Sequence, residues 1–320
     1  MLNIQKLKID PFVNKIRETY RLSFGSMNTD IEELLAWAGH LALENLANCD
    51  ALYHNIDHTI MVTLVGQEIL KGRQLNKGGV GPEDWLHFVV ALLCHDIGYV
   101  KGVCKNDCYG KYDDGFGNLI EIDENGTSAL LTPYHVDRGK LMIMERFGNN
   151  PLMDADRIAS YIEMTRFPIP QDSELHKDTE DLPGLTRAAD FIGQLGDPSY
   201  FLKLSNLFYE FEELGVNKRF DYKTPGQMRS SFAKFFWDVV SPNIETALRY
   251  LEVTQEGKEW ISNLHSHVFA SEHYEKKVRL AKAKGGSESN SNGASRVVTT
   301  KRHKSTTSGE FLKAAASAKP

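Results

Sequence analysis

The sequence has no apolar run long enough to cross a membrane. Its most hydrophobic stretches, "TIMVTLVGQEIL" and "FVVALLCHDIGYV", are too short or too polar for that. The opening stretch "MLNIQKLKIDPFVNKIRETY" is charged throughout and lacks the apolar core of a secretion signal. Cysteine is scarce: Cys49, Cys94, Cys104 and Cys108 are all there is. Without a secretion signal, free thiols in a cytoplasmic protein are the expectation. Cys104 and Cys108 are spaced C-x3-C, but no second cysteine pair exists to complete the four ligands of a structural zinc. Positive charge is not in excess. The net charge of -6 argues for solubility and against a general nucleic-acid partner. No strand-rich block and no internal repeat is visible.

What is present is helical periodicity along most of the chain. "NTDIEELLAWAGHLALENLAN" starts with a cap-like Asn28-Thr29-Asp30 and continues with apolar residues at helical spacing. "HTIMVTLVGQEILKGRQL" predicts a second long helix. Pro82 opens "PEDWLHFVVALLCHD", with proline at a first-turn position and acids just after it. The glycine- and aspartate-rich stretch 103–126 predicts a long loop with a short hairpin at "FGNLIEI". Helices are expected again at about 134–147, 153–167, 184–195, 198–214, 225–240, 243–253 and 258–282. The expectation is one all-α domain over 1–284, with its core at about 40–215 and C-terminal helices over 225–282. From about Gly285 the composition turns rich in Ser, Thr, Gly and Lys, which predicts a disordered tail over 285–320.

Three pieces of this helical chain carry chemistry. "YHNIDHT" holds His54 and His58 four residues apart, so one helix would show both on one face, roughly 6 Å apart. That suits two metal ligands, or one ligand beside a proton donor; it also suits two histidines that merely fill hydrogen-bonding slots in a core. "VVALLCHDIGYV" is an apolar run ending in His95-Asp96, a pair whose burial is costly unless both groups are paired or ligate a metal. Asp190 in "LTRAADFIGQLGDP" is a lone carboxylate with the same problem. Two imidazoles and two carboxylates suit a borderline or hard divalent ion: Mn, Fe, Co, Zn or Mg.

The order H…HD…D resembles that of the HD-domain metal-dependent phosphohydrolases, an all-helical superfamily. "YHNIDH" is similar to the Y-H-N-x-x-H motif of its cyclic-nucleotide phosphodiesterase branch. "ENGTSALL" and "RAADFIGQLGDPSYFLKLSNLFYEFEELG" also resemble segments of that branch, so the resemblance spans about residues 40–215. It implies a phosphodiesterase-like helical bundle in which His58, His95, Asp96 and Asp190 bind the metal and His54 protonates the leaving oxygen. A divalent ion polarises the phosphoryl group and acidifies a bound water to a hydroxide nucleophile, and a nearby imidazole can serve as general acid. The implied substrate is a small nucleotide-like phosphoester.

The pattern also departs from that family. Where the phosphodiesterases carry a further metal-site histidine three residues after the HD aspartate, this chain has Tyr99. Their later Thr-Asp pair corresponds here to Thr165-Arg166, and "TPYHVDRG" offers only His135. One metal per chain is therefore expected. Asn55 and His135 are candidates for supporting or substrate-side roles, Lys101, Arg138 and Arg166 for contacts to phosphate oxygens, and Gln194 for nucleotide recognition. A phosphodiester such as a cyclic nucleotide, a nucleotide monoester, and a regulatory module that binds metal without turnover all remain open.

Overall fold

The computed structural model describes residues 4–26, 28–171 and 173–288. Helices dominate: α1 (Ile4–Phe24), α2 (Thr29–Leu46), α3 (Ile56–Asn76), α4 (Pro82–Cys94), α5 (His135–Phe147), α6 (Ala155–Glu163) and α7 (Leu182–Leu195). They continue with α8 (Tyr200–Glu213), the short α9 (Val216–Phe220), α10 (Pro225–Phe235), α11 (Ser241–Leu251) and α12 (Gln255–Glu288). One turn of wider pitch, Phe236–Val240, joins α10 to α11. The all-α expectation holds, apart from one small hairpin. No helix among the described residues is long and apolar enough to cross a membrane.

The centre of the molecule is α3, which packs against α7, α4 and α11. Its apolar side chains Val62, Val65, Ile69 and Leu70 are fully buried, and α4 is buried on every face from Trp85 to Cys94. A helix apolar all round has to be surrounded by others. The approach of α7 to α3 is close because Gly193 has no side chain. A Cβ there would lie 2.5 Å from the Val62 Cα, inside contact distance.

One helix lies outside the sequence expectations, and one expected boundary needs correction. Residues 4–24, noted above only for their charge, form α1, whose Ile9, Phe12, Val13, Ile16 and Tyr20 recur at helical spacing and are buried. Pro11 lies within this helix. At the other end α12 runs to Glu288, past the tail boundary expected at Gly285. The rest of the expected tail, 289–320, lies outside the described residues.

The stretch 103–126 is more ordered than a plain loop. β1 (Lys111–Asp113) pairs antiparallel with β2 (Leu119–Glu121), so "FGN" forms the turn and "LIE" the second strand rather than a hairpin of its own. Arg138 of α5 organises this stretch from a fully buried position. Its Nε donates to Gly98 O at 2.7 Å, Nη2 to Val100 O at 3.0 Å, and Nη1 to Asp113 O at 2.5 Å. Nη1 and Nη2 also grip both oxygens of Asp107, at 3.0 and 2.9 Å. All five N–H groups are thus used within the protein.

Candidate metal centre

The turn before α3 is set by Asn55. Its Oδ1 accepts from the Asp57 N–H at 2.9 Å and its Nδ2 donates to Leu52 O at 2.9 Å, which makes Asn55 the N-cap of α3. The helix therefore starts at Ile56, and His54 lies outside it. His54 and His58 do not share a helix face as their spacing predicts; the capping turn folds the rings together, with centroids 5.7 Å apart. α4 ends at Cys94 and delivers His95 and Asp96 at its terminus. A tight turn over Ile97–Tyr99 follows, with Gly98 against the start of α5: a Cβ there would lie 1.9 Å from His135 O. Asp190 comes from the middle of α7.

These elements bring the two imidazole Nε2 atoms together, with a carboxylate oxygen of Asp96 and one of Asp190 beside them. His58 Nε2 lies 3.2 Å from His95 Nε2, 3.3 Å from Asp96 Oδ2 and 3.3 Å from Asp190 Oδ1. His95 Nε2 lies 3.2 Å from Asp96 Oδ2 and 3.7 Å from Asp190 Oδ1. Ligand bonds of about 2.0–2.2 Å in a tetrahedral or octahedral shell need edges of about 2.8–3.6 Å between ligand atoms. The ligand atoms of His58, His95 and Asp190 all lie within 4.8 Å of one another, a set that could hold a metal ion.

Hydrogen bonding supports the fit. His95 Nδ1–H donates to Leu92 O at 2.7 Å, so in the neutral ring Nε2 is a bare lone pair. It faces Asp96 Oδ2, which is buried and has no hydrogen-bond donor. Two acceptors facing each other in a buried place are unfavourable without positive charge between them. Burial lowers the pKa of His95, but the Asp96 carboxylate more than offsets this and raises it to about 9. The cluster thus attracts a cation. A proton satisfies one atom; a divalent ion satisfies the converging atoms together.

A second unit stands beside the cluster. His54 Nδ1–H donates to Glu210 Oε2 at 2.6 Å. Glu210, from α8, is buried, and its Oε1 also accepts the Tyr53 and His54 N–H groups at 2.6 and 3.3 Å. Burial lowers the pKa of His54; Glu210 outweighs it, helped by Asp96 and Asp190, and raises it to about 9. Burial pushes Glu210 up, but His54 and the backbone N–H groups pull it below the usual glutamate value. The Tyr99 ring stacks between His54, at 4.6 Å and 15°, and His135, at 4.4 Å and 19°. His135 Nδ1–H donates to Thr132 O at 2.6 Å, leaving Nε2 directed toward Asp96 Oδ1 at 3.9 Å. Burial lowers its pKa to about 4, so it is neutral at pH 7.

The other residues singled out in the sequence divide. Lys101 donates to Gly126 O at 2.8 Å and pairs with Asp50 at 3.3 Å. Arg138 is not placed to meet phosphate, because all its donors are spent on the 98–113 stretch and Asp107. Gln194 follows Asp190 by one helical turn on α7. Arg166 is clamped by Glu163 and Asp137 but remains partly exposed. Glu210 was not singled out. Its only signal is its place in "NLFYEFEELG", three residues after the buried Leu207 and on the buried side of α8.

No curated protein and no solved structure matches the chain. A family model does match it, over residues 2–274, and the chain belongs to that family, the Npun_R2479-like proteins.

Proposed function

We propose that the protein is a metal-dependent phosphohydrolase with one metal per chain, acting on a small nucleotide-like phosphoester. The reading is carried by one observation: the ligand atoms of His58, His95 and Asp190 all lie within 4.8 Å of one another, Asp96 Oδ2 lies against both imidazoles, and a histidine held by a buried glutamate stands beside them. His58, His95, Asp96 and Asp190 would hold the ion. A divalent ion there supplies Lewis-acid polarisation of a phosphoryl group and acidifies water.

The chain's own residues do the rest. Glu210 takes the Nδ1 proton of His54 as a hydrogen bond, so the Nε2 edge carries the transferable proton. The same carboxylate keeps the ring protonated at neutral pH. A protonated imidazole beside the phosphoryl group serves as general acid to a departing alkoxide oxygen, which favours a diester or a monoester of a poor leaving group. Tyr99 fills the space between His54 and His135, and the described residues form no second ligand group of this kind. Both facts support a mononuclear site.

The test is a panel of phosphoesters, nitrophenyl and nucleotide mono- and diesters, with protein loaded with Mn, Fe, Co, Zn or Mg. Turnover is expected with at least one ion, and Asp96→Ala is expected to abolish both turnover and most bound metal. If metal-loaded wild-type protein hydrolyses none of these esters, the proposal fails.

A further inference from the structure

His54 stands outside α3, in the turn before it, so no helix backbone fixes its ring. Its bond from Nδ1–H to Glu210 Oε2 fixes the place of one nitrogen. A bond at one atom still lets the ring tilt about the bond axis, and with it the direction of Nε2. The ring neighbours differ in what they do about that. Tyr53 meets His54 at 5.4 Å and 78°, and His58 at 5.7 Å and 83°, so neither lies parallel to it. Tyr99 does, at 4.6 Å and 15°. A parallel face at that separation leaves no room for the ring to tilt.

Tyr99 is itself held from every side. His135 lies parallel to it at 4.4 Å and 19°. One face cannot carry two rings at these distances, so the imidazoles lie on opposite faces of Tyr99. His135 is anchored in turn, because its Nδ1–H donates to Thr132 O at 2.6 Å. The Tyr99 backbone is pinned as well. Its N–H donates to Asp96 O at 3.0 Å, and the carbonyls on either side of it, Gly98 O and Val100 O, both accept from the buried Arg138 guanidinium. The tyrosine side chain is almost wholly buried and is not open to a ligand. The same short turn thus carries Asp96 of the metal cluster at one end and the ring that faces His54 at the other.

We propose that Tyr99 is a positioning residue for the proton donor: its ring, backed by His135, fixes the plane of the His54 imidazole and hence the direction of Nε2 relative to the metal cluster. This rests on the phosphohydrolase reading above and adds to it the residue that aims the acid. Glu210 holds one edge of His54 and Tyr99 holds its face, so the donor is aligned before a substrate arrives.

The test has two arms, and the first does not depend on turnover. Full-length protein with isotope-labelled histidine is loaded with a diamagnetic ion, Zn or Mg, and the His54 ring resonances are followed by NMR. In wild type the carbon-bound protons of His54 should be shifted upfield by the Tyr99 ring, and the Nδ1–H proton on Glu210 should exchange slowly. Tyr99→Leu should lose the upfield shift and exchange that proton faster, while Tyr99→Phe keeps both signatures. The second arm is kinetic. Tyr99→Leu should keep its metal and its KM, and lose about 10–100-fold in kcat on an ester with an alkoxide leaving group, the loss expected of a misaligned catalytic group. The loss should be far smaller on a nitrophenyl ester, and Tyr99→Phe should restore turnover. Should Tyr99→Leu fail to fold, Tyr99→Met fills more of the space, also lacks a ring, and should behave as described for leucine. The proposal is overturned if the ring-free variants leave the His54 resonances unmoved, if they slow both kinds of ester equally, or if Tyr99→Phe is as impaired as they are. A wild type that hydrolyses no ester defeats the phosphohydrolase reading instead, and the resonances alone then decide whether Tyr99 places His54.

Discussion

His54 and His58 are neighbours in space but are held by different partners, and that difference makes their substitution informative. His58 Nε2 points into the metal cluster, whereas His54 is tied through Nδ1 to Glu210. His58→Asn is expected to lose metal and activity together. His54→Asn is expected to keep its metal while losing activity by about 10²–10⁴-fold, and far less on a nitrophenyl ester whose leaving oxygen needs no proton. Equal metal loss in the two variants, read by elemental analysis, would make His54 a ligand instead. Glu210→Gln tests the pair from the other side. The carboxylate raises the pKa of His54, so without its charge the ring gives up its proton at lower pH. The alkaline limb of the pH–rate profile should move down; an unmoved limb would separate His54 from that limb. At this scale the sequence was informative where a polar residue interrupts an apolar helix. His58, His95 and Asp190 stand out in this way, and they come together. Glu210 does not, because it is one of three glutamates in "YEFEELG" and nothing in that run marks the buried one. Arg138 was misassigned for a related reason: its partners Gly98 O, Val100 O and Asp113 O are backbone carbonyls, which leave no residue-type signature.

Between elements, the metal cluster depends on how closely α3 and α7 approach, since they carry His58 and Asp190. Gly193→Ala would put a methyl group 2.5 Å from the Val62 Cα, and backbone cannot swing aside as a side chain can. The helices must separate, so this small change is expected to lower the melting temperature, by roughly 1–3 kcal/mol of stability, and to weaken metal binding as well. A melting-temperature loss with unchanged metal affinity would show that the strain relaxes away from the cluster. The clasp between α5 and the end of α6 gives a pH dependence. Burial raises the pKa of Glu163, but the hydrogen bonds and charges of Arg166 and Lys140 outweigh it and bring it down to about 2. A carboxyl held below its unfolded value adds stability in full above that value, about 4.3. The contribution is lost as pH falls from there toward 2. Glu163→Gln should therefore melt lower at pH 7 and lose less on acidification; parallel melting curves for the two proteins over that window would show that the clasp adds nothing. The elements themselves were mostly legible because α2 to α8 carry plain helical periodicity. α1 was obscured by Pro11 and by abundant charge, although its buried positions repeat at helical spacing. The hairpin was placed too late because Lys111–Asp113 has the polar composition of a loop and becomes a strand through the Arg138–Asp107 network.

For the molecule as a whole, the candidate metal cluster is a concentration of buried negative charge inside an already anionic chain. Asp96 is almost fully buried, Asp190 lies beside His58 and Glu210 beside His54, and the net formal charge is -6. Without a metal ion, a proton on His95 meets Asp96 Oδ2 but leaves the other converging acceptors unmatched in a buried place, which costs stability on folding. An ion bound by the folded chain and not by the unfolded one removes that cost. It also adds stability by mass action, about 2.7 kcal/mol at a free concentration one hundred times the dissociation constant. Protein stripped with a chelator should therefore melt several degrees below protein reloaded with its preferred ion, and the gap should grow with ion concentration. The same ion should leave the melting temperature of His58→Asn and Asp96→Ala nearly unchanged, because their ligand sets are broken. The distinguishing case is Arg138→Met. It should fall in melting temperature through loss of the 98–113 network, yet still gain from added ion, because Arg138 supplies no ligand atom. A wild-type melting temperature indifferent to Mn, Fe, Co, Zn and Mg alike would mean that this cluster closes on protons alone and that no metal belongs there.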